Sequence, residues 1–349
     1  MSQLVSEFDQ SKTLRSGLKL KNRFVLAPLD LRLALYDGTV SQNDLTFHRS
    51  HATAVGMDIV GSAYVQKNGR TRAGALSVSE DINIPGLRKL ATAIHQGGAK
   101  AILQLSHAGI RAQVPFGQHL VGPSERYGVE SLSKRQIIEL AQGFAEATNR
   151  AIQAGFDGVE LQGGNRFLLQ QFLSPLINLR CDDFGGSLTN RLRVPLLVVE
   201  SVLKVAQQCS RPFAVGYRLS PEERYAKGMQ VQDTLVLARL LERLKVDYIS
   251  LSLHDYRQPA VTFDGTTPVV SLFAQQLTTL PCMVAGNVNN VDDLDALSGQ
   301  ADLIAMGRQL IADPEWPRDK VSVNYSERIQ SLSASSEISP RVLEGLLTS

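Results

Sequence analysis

The feature that most constrains the fold of this chain is a regular alternation of short apolar runs with longer amphipathic segments. Each run is four to eight residues long and rich in Val, Ile, Leu or Ala. Such runs are typical of parallel strands that are buried on both faces. Eight of them occur, at residues 24–29, 58–65, 101–105, 158–161, 213–219, 248–253, 283–288 and 303–306.

Helix-like segments fill most of the intervals between these runs. Ser133 and Gln136 have the spacing of a capping box, and Gly155 suits the left-handed residue that ends the helix. Residues 231–244 repeat apolar side chains at helical spacing, and 291–297 form a helical segment after the seventh run. The alternation predicts a parallel sheet with crossover helices.

The fold class that we predict is α/β, as a single closed (β/α)8 TIM barrel. An open, doubly wound sheet is the alternative. The count of eight strands favours the barrel, as do the polar and glycine residues at the carboxyl end of nearly every strand. We assign residues 1–320 to the barrel and 321–349 to a C-terminal extension.

Composition excludes several classes of function. Lys and Arg number 36 against 34 Asp and Glu, which leaves a net charge of only +2 and argues against a nucleic-acid surface. No stretch approaches the ~18 consecutive apolar residues of a membrane helix, and the amino terminus has no apolar run typical of a signal peptide. The three cysteines are isolated. We therefore expect a cytoplasmic protein with no membrane or nucleic-acid partner.

The histidines do not indicate a metal site. His48 and His51 are three residues apart on a predicted helix, but no third ligand accompanies them. We interpret this segment as a surface helix and predict no metal.

The carboxyl ends of the eight predicted strands gather polar and glycine residues around one pocket if the barrel is correct. In chain order these residues are Pro28, Leu29, Asp30, Gly61, Gln104, His107, Gln162, Asn165, Arg218, His254, Gly286, Asn287, Gly307 and Arg308.

The groups after the seventh and eighth strands indicate phosphate binding. Gly286 and Gly307 let the backbone approach a ligand closely, and Arg308 adds a charged donor for phosphate oxygens. Turn glycines beside a surface arginine are the alternative interpretation.

Six segments of the chain have a distinctive residue pattern. The most specific are FLSP at 172–175, which ends a segment that begins at 154, and FGGSLTNR at 184–191. The others are LKLKNRFVLAPL at 18–29, ILQLSHAG at 102–109, VGYRLSP at 215–221 and LIAMGRQLIADP at 303–314. In these six segments, which occur in the same order, the chain resembles the Old Yellow Enzyme family of FMN-dependent NAD(P)H oxidoreductases.

The resemblance implies an FMN at the mouth of the barrel, reduced by NADH or NADPH. It places Pro28 and Leu29 along the isoalloxazine ring, Gly61 near its polar edge, and Gln104 and Arg218 at its pyrimidine end. The phosphate falls to Gly286, Asn287, Gly307 and Arg308. Family members often form dimers, so a homodimer is a further possibility.

Three positions, Gln162, Phe167 and Asp30, depart from the family pattern. The family's fourth strand usually ends in His-x-x-His/Asn-x-Tyr, where this chain has Gln162, Asn165 and Phe167. Gln162 and Asn165 can each still donate an amide N–H to a substrate oxygen, but Phe167 has no proton to give. Asp30 stands where the family usually carries Thr, Ser or Cys, and we expect it either to be protonated or to turn away from the flavin.

The missing tyrosine shapes the expected activity. We assign Gln162 and Asn165 to the reaction itself, and Gln162, Asn165, Phe167, His107 and His254 to the substrate site. A small acceptor such as a quinone, a nitro-compound, a flavin or dioxygen is favoured over an enone. The alternatives are a flavin-binding protein with little turnover and a phosphate-binding TIM-barrel isomerase or lyase.

Overall fold

A computed structural model describes residues 6–114 and 117–320. Eight parallel strands form a barrel: β1 Phe24–Leu26, β2 Met57–Tyr64, β3 Lys100–Ser106, β4 Gly158–Gly163, β5 Ala214–Leu219, β6 Tyr248–Ser252, β7 Cys282–Ala285 and β8 Leu303–Met306. They close in the order β6-β7-β8-β1-β2-β3-β4-β5. The predicted (β/α)8 fold is confirmed.

The α-helices surround this barrel. They are α1 Gln42–His51, α2 Ile84–Gly97, α3 Lys134–Ala154, α4 Leu168–Leu173, α5 Leu188–Ala206, α6 Val231–Leu244, α7 Val269–Gln276, α8 Val291–Leu297, α9 Arg308–Ala312 and α10 Trp316–Asp319. The predicted bounds of α6 and α8 agree with the structure. The Ser133 side chain accepts from the Gln136 backbone N–H at 3.2 Å, and Gly155 adopts a left-handed φ of 91°, so both predicted ends of α3 are confirmed.

The predicted first strand is too long at its carboxyl end. The apolar run extends to residue 29, but the strand ends at Leu26. Ala27 still donates its N–H to the carbonyl of Met306. Pro28 has no N–H to continue the ladder, which is the physical reason for the early end.

Apolar side chains fill the barrel interior toward the amino-terminal ends of the strands. A two-stranded antiparallel hairpin, Lys12–Thr13 with Lys19–Leu20, lies at the amino-terminal end. Its Leu14, Leu18 and Leu20 belong to the same buried cluster as Ile59 and Ile102 of the barrel interior. The amino-terminal end is therefore plugged, and ligand access is left to the carboxyl ends of the strands.

The surface-helix interpretation of His48 and His51 is wrong. Both side chains lie on the buried face of α1. His48 Nδ1 is 2.9 Å from Oδ2 of Asp58, a fully buried carboxylate on β2, and the His51 ring stacks on Phe47. A partner on the neighbouring strand makes burial of a polar side chain acceptable.

The extension predicted at 321–349 lies outside the described residues and stays a prediction. Within the described ranges, no helix is long and apolar enough to cross a membrane.

Candidate active site

A cavity of about 330 Å³ opens at the carboxyl ends of the barrel strands. Nine of the residues expected at the site contribute to its lining: Pro28, Leu29, Asn165, Arg218, His254, Gly286, Asn287, Gly307 and Arg308. The structure therefore brings strands β1, β4, β5, β6, β7 and β8 together around one space.

Two glutamines and a glutamate form a buried polar network between β3 and β4. Gln104 Nε2 donates to Glu160 Oε1 at 2.7 Å, and Gln162 Nε2 donates to Gln104 Oε1 at 3.4 Å. Gln162 Oε1 accepts the backbone N–H of Gly164 at 3.1 Å. Gln162 thus holds the end of β4 through the Gly164 N–H and is itself held beside Gln104 by donating to it. Its role toward a substrate oxygen stays a prediction.

Arg218 on β5 is a buried cation that is hydrogen-bonded to the adjacent strand β6. Its Nη1 and Nη2 donate to the hydroxyls of Ser250 and Ser252 at 3.3 and 3.0 Å. The Nε atom is buried and has no hydrogen-bond partner among the described residues. Burial lowers the pKa of Arg218, whereas the nearby carboxylate of Glu160 raises it. A guanidinium remains charged under such a shift.

Asn165 is held by both its backbone and its side chain. Its backbone N–H donates to Ser220 Oγ and its Oδ1 accepts from Ser252 Oγ, both at 2.8 Å. The residue adopts a left-handed φ of 54°, which asparagine tolerates better than most residues. Because Ser252 occupies the oxygen, the amide NH2 is left to face a ligand in the cavity.

The far end of the cavity has the predicted phosphate-site residues. A Cβ added to Gly286 would lie 2.9 Å from the Tyr256 backbone nitrogen, and one added to Gly307 would lie 2.9 Å from Leu29 Cδ2. Asn287 adopts a φ of 55° and donates from Nδ2 to Asp255 Oδ2 at 3.0 Å. At Gly286 a side chain would meet backbone, so glycine is required there, whereas at Gly307 it would meet only the movable end of the Leu29 side chain.

Asp30 and Gly61 lie beside this cavity rather than in its lining. Together they line a smaller cavity of about 20 Å³. Asp30 Oδ2 is 3.3 Å from Arg72 Nε, so the carboxylate is turned toward an arginine, and its orientation relative to a flavin stays a prediction. Burial raises the pKa of Asp30, and Arg72 and Arg111 oppose that shift.

The two histidines assigned to the substrate site have different environments. His254 is exposed and lines the main cavity. His107 is 1% exposed, lies 3.2 Å by its Nε2 from Asn68 Oδ1, and accepts the Gly109 N–H on Nδ1. Burial lowers the pKa of His107 to about 3, so the imidazole is neutral and orders the loop after β3.

Phe167 lies half-buried beside Asn165, with the guanidinium of Arg111 over its ring at 5.8 Å from the centroid. The same guanidinium donates to the backbone carbonyl of Asn165. An arginine thus stands next to the position where the family usually places a tyrosine.

Sequence reasoning missed Glu160, Arg111 and the serines that hold Arg218. Glu160 carried a usable signal, because it is two residues before Gln162 in a strand and must therefore point to the same inner face. No comparable signal marked Arg111, whose contacts depend on the loop after β3.

The donor set fits a flavin mononucleotide. The cavity lining contains the buried guanidinium of Arg218, whose Nε has no hydrogen-bond partner among the described residues, and two glycine strand ends together with Arg308. Ala27, Pro28 and Leu29 add an apolar wall. These features define a (β/α)8 barrel that holds FMN at the carboxyl ends of its strands.

The chain belongs to the NADH:flavin oxidoreductase / NADH oxidase family, whose model matches residues 13–325. The resemblance to Old Yellow Enzyme is thereby confirmed. The chain is an FMN-dependent oxidoreductase that uses a nicotinamide reductant.

Relatives of known name agree with this assignment. The chain is 37% identical over 315 residues to the probable NADH-dependent flavin oxidoreductase YqiG of Bacillus subtilis (strain 168), covering 87% of this chain and 85% of the relative. It is 37% identical over 323 residues to the NADH:fumarate oxidoreductase of Klebsiella pneumoniae (strain 342), covering 88% of this chain but 35% of that protein. The solved structure of morphinone reductase is 25% identical, with a TM-score of 0.79 over 98% of this chain and 94% of its own.

Proposed function

We propose that this enzyme takes hydride from NADH or NADPH and passes electrons to a small acceptor that needs no proton from position 167. A quinone, a nitro-compound, a free flavin or dioxygen meets that requirement better than a simple enone. The observation that carries the proposal is Phe167 in the place of the usual tyrosine, with Arg111 over its ring.

The residues that would hold FMN form two groups, one for each end of the cofactor. Gln104 and Arg218 would bind the pyrimidine end, and Gly286, Asn287, Gly307 and Arg308 would bind the phosphate. FMN, when bound, supplies the hydride chemistry between nicotinamide and acceptor. The positive charge of Arg218 stabilises negative charge at the end of the site that it faces.

On the acceptor side Asn165 would orient the reactants. Its amide NH2 is free to donate to a carbonyl oxygen of the nicotinamide or of the acceptor, since Ser252 already occupies the amide oxygen. Gln162 would support it from the end of β4.

Three other proton donors near the site, Tyr64, Tyr256 and His107, are engaged elsewhere. The Tyr64 hydroxyl donates to the carbonyl of Asp37, and the Tyr256 hydroxyl donates to Asp293, both at 3.0 Å. Burial and Asp293 raise the pKa of Tyr256 to about 12, and His107 is neutral. Of these three residues and His254, His254 alone lines the main cavity. Because Tyr64, Tyr256 and His107 are thus unable to replace the tyrosine, the arrangement supports an acceptor that takes its proton from water.

Two alternatives fit the sequence alone. Membership in an oxidoreductase family favours an active enzyme over a flavin binder with little turnover and over an isomerase or lyase. The NADH:fumarate oxidoreductase is about three times longer than the segment this chain matches, so its acceptor is not carried over. The homodimer and the cytoplasmic location stay predictions.

Steady-state oxidation of NADH and of NADPH by the FMN-loaded enzyme, with a naphthoquinone and then with cyclohexenone, tests this proposal. General-acid catalysis is worth roughly 10²–10⁴-fold, so we expect quinone turnover to exceed cyclohexenone turnover by about 10²-fold or more. Equal rates with the two acceptors would contradict the proposal.

A further inference from the structure

A layer of polar side chains crosses the barrel between the apolar plug and the cavity. Gln104, Glu160 and Tyr248 belong to it, and strand register brings them side by side: Gln104 pairs with Glu160, and both Glu160 and Tyr248 pair with Gly216. A Cβ on Gly216 would lie 2.1 Å from the Tyr248 ring, so the glycine makes room for that ring inside the barrel. Glu160 is 0% exposed, and its Oε2 has no hydrogen-bond partner among the described residues.

The hydrogen bond from Gln104 to Glu160 fixes which way the glutamine amide points. A carboxylate only accepts, so Gln104 must turn its NH2 toward Glu160. Its Oε1 then faces the other way, where it accepts from Gln162 Nε2. The opposite orientation would bring two oxygens together.

Glu160 also sets the charge next to Arg218. Both side chains are buried on the neighbouring strands β4 and β5. Burial raises the pKa of Glu160, whereas the Arg218 guanidinium and the hydrogen bond from Gln104 oppose that shift and favour the ionised carboxylate. Among the described residues Arg218 has no carboxylate within 4.0 Å and makes its hydrogen bonds to serine hydroxyls, so Glu160 is the buried charge that offsets it at longer range. Burial, with Glu160 as the second cause, also raises the pKa of Tyr248 well above its usual range.

We propose that Glu160 is a positioning residue for the flavin site: it orients the Gln104 amide and, with Arg218, sets the reduction potential of bound FMN. The negative carboxylate partly cancels the guanidinium and keeps the potential lower than Arg218 alone would set it. This role rests on FMN as the family's cofactor and is independent of the electron acceptor.

The test is the reduction potential of FMN-loaded Glu160→Gln, measured by photochemical reduction against a reference dye so that no nicotinamide is needed. Loss of the carboxylate leaves Arg218 unopposed, and reduced FMN gains stability over oxidised FMN. We expect the equilibrium ratio of reduced to oxidised FMN at a given ambient potential to rise about tenfold. For a two-electron couple this raises the reduction potential by about 30 mV. Dissociation of oxidised FMN is measured in parallel, and we expect its Kd to rise because an amide in place of the carboxylate no longer dictates how the Gln104 amide points.

Two further variants make the result decisive. Glu223→Gln removes another buried carboxylate, which binds Gln170 and Ser174 and does not line the cavity, so the potential should stay at the parent value. Glu160→Asp keeps the charge but shortens the reach to Gln104, so the potential should stay near that of the parent while the Kd for oxidised FMN rises about fivefold or more.

A reduction potential that is raised in Glu160→Gln but not in Glu223→Gln supports the proposal. An unchanged potential and FMN affinity in Glu160→Gln, or an equal shift in Glu223→Gln, would overturn it. If Glu160→Gln does not fold, Glu160→Asp decides: weaker FMN binding supports the proposal, and parental affinity overturns it. A failure of the proposed acceptor assignment would instead appear only in the quinone and enone assays.

Discussion

The guanidinium of Arg111 lies over the ring of Phe167, 5.8 Å from its centroid, and donates to the backbone carbonyl of Asn165. This contact joins the loop after β3 to the end of β4 at the edge of the reaction site. Where the family pattern has the phenol of a tyrosine, this enzyme has the phenyl ring of Phe167, which carries no acidic proton, beside the permanent cation of Arg111. The proposed acceptor preference rests on that pair.

Restoring the hydroxyl should restore enone reduction. In Phe167→Tyr the new phenol lies beside Arg111, whose charge favours proton release, and general-acid catalysis contributes roughly 10²–10⁴-fold. We expect the turnover of cyclohexenone to rise by about 10²-fold while quinone turnover changes little. Phe263→Tyr adds the same hydroxyl at a half-exposed surface position and serves as the control. A Phe167→Tyr enzyme that is as slow with cyclohexenone as the parent would count against this account.

Removal of the buried cation should weaken flavin binding. A hydrogen bond to a charged group is worth about 1.5–3 kcal/mol, or about 10- to 150-fold in affinity. In Arg218→Gln the Kd of FMN, measured by titration of apoprotein, should rise by that factor. Arg126→Gln alters an exposed arginine and should leave the Kd unchanged. Parental affinity in Arg218→Gln would show that the cation does not face the flavin.

His51 should make the fold acid-sensitive. Burial lowers its pKa from 6.5 to about 4, so the folded protein keeps the ring neutral while the unfolded chain protonates it first. Stability that is present above pH 6.5 is therefore lost as the pH falls toward about 4, by on the order of 3 kcal/mol at about 1.36 kcal/mol per pKa unit.

Denaturant unfolding at a series of pH values, followed by the fluorescence of Trp316, checks this. His51→Gln should flatten the acid side of the stability profile, whereas His119→Gln, at an exposed site, should leave it unchanged. His48 acts in the opposite direction: burial alone would lower its pKa, but Asp58 raises it overall, so its contribution is lost as the pH rises. A parental slope in His51→Gln would refute the assignment.

Two glycine-to-alanine changes should have opposite effects on stability. In Gly216→Ala the added Cβ would lie 2.1 Å from the Tyr248 ring, and such overpacking costs about 1–3 kcal/mol. In Gly143→Ala the atom nearest to the added Cβ, Gln66 Nε2, is 3.4 Å away, so the methyl group fits. Alanine in a helix interior then raises the free energy of unfolding by about 0.5–1 kcal/mol. Chemical denaturation measures both free energies of unfolding. A Gly216→Ala protein as stable as its parent would contradict the packing described for the barrel interior.

Local patterns in the sequence predicted the barrel well, and long-range pairing explains what they missed. Apolar runs located the eight strands and helical spacing located α6 and α8, because both signals depend on near neighbours. The inward orientation of His48 could not be seen, since its partner Asp58 lies on a separate strand. The Gln104–Glu160 bond likewise depends on the register between β3 and β4, which the hydrophobic pattern of two all-buried strands does not fix.

The most direct test of the central claim is the visible absorption of the FMN-loaded enzyme during anaerobic addition of NADH and, separately, NADPH. An FMN oxidoreductase with this site should bleach with at least one nucleotide and regain its yellow colour when a quinone is added. A protein that stays yellow with both nucleotides, while photochemical reduction still bleaches it, would contradict the proposed hydride transfer from nicotinamide.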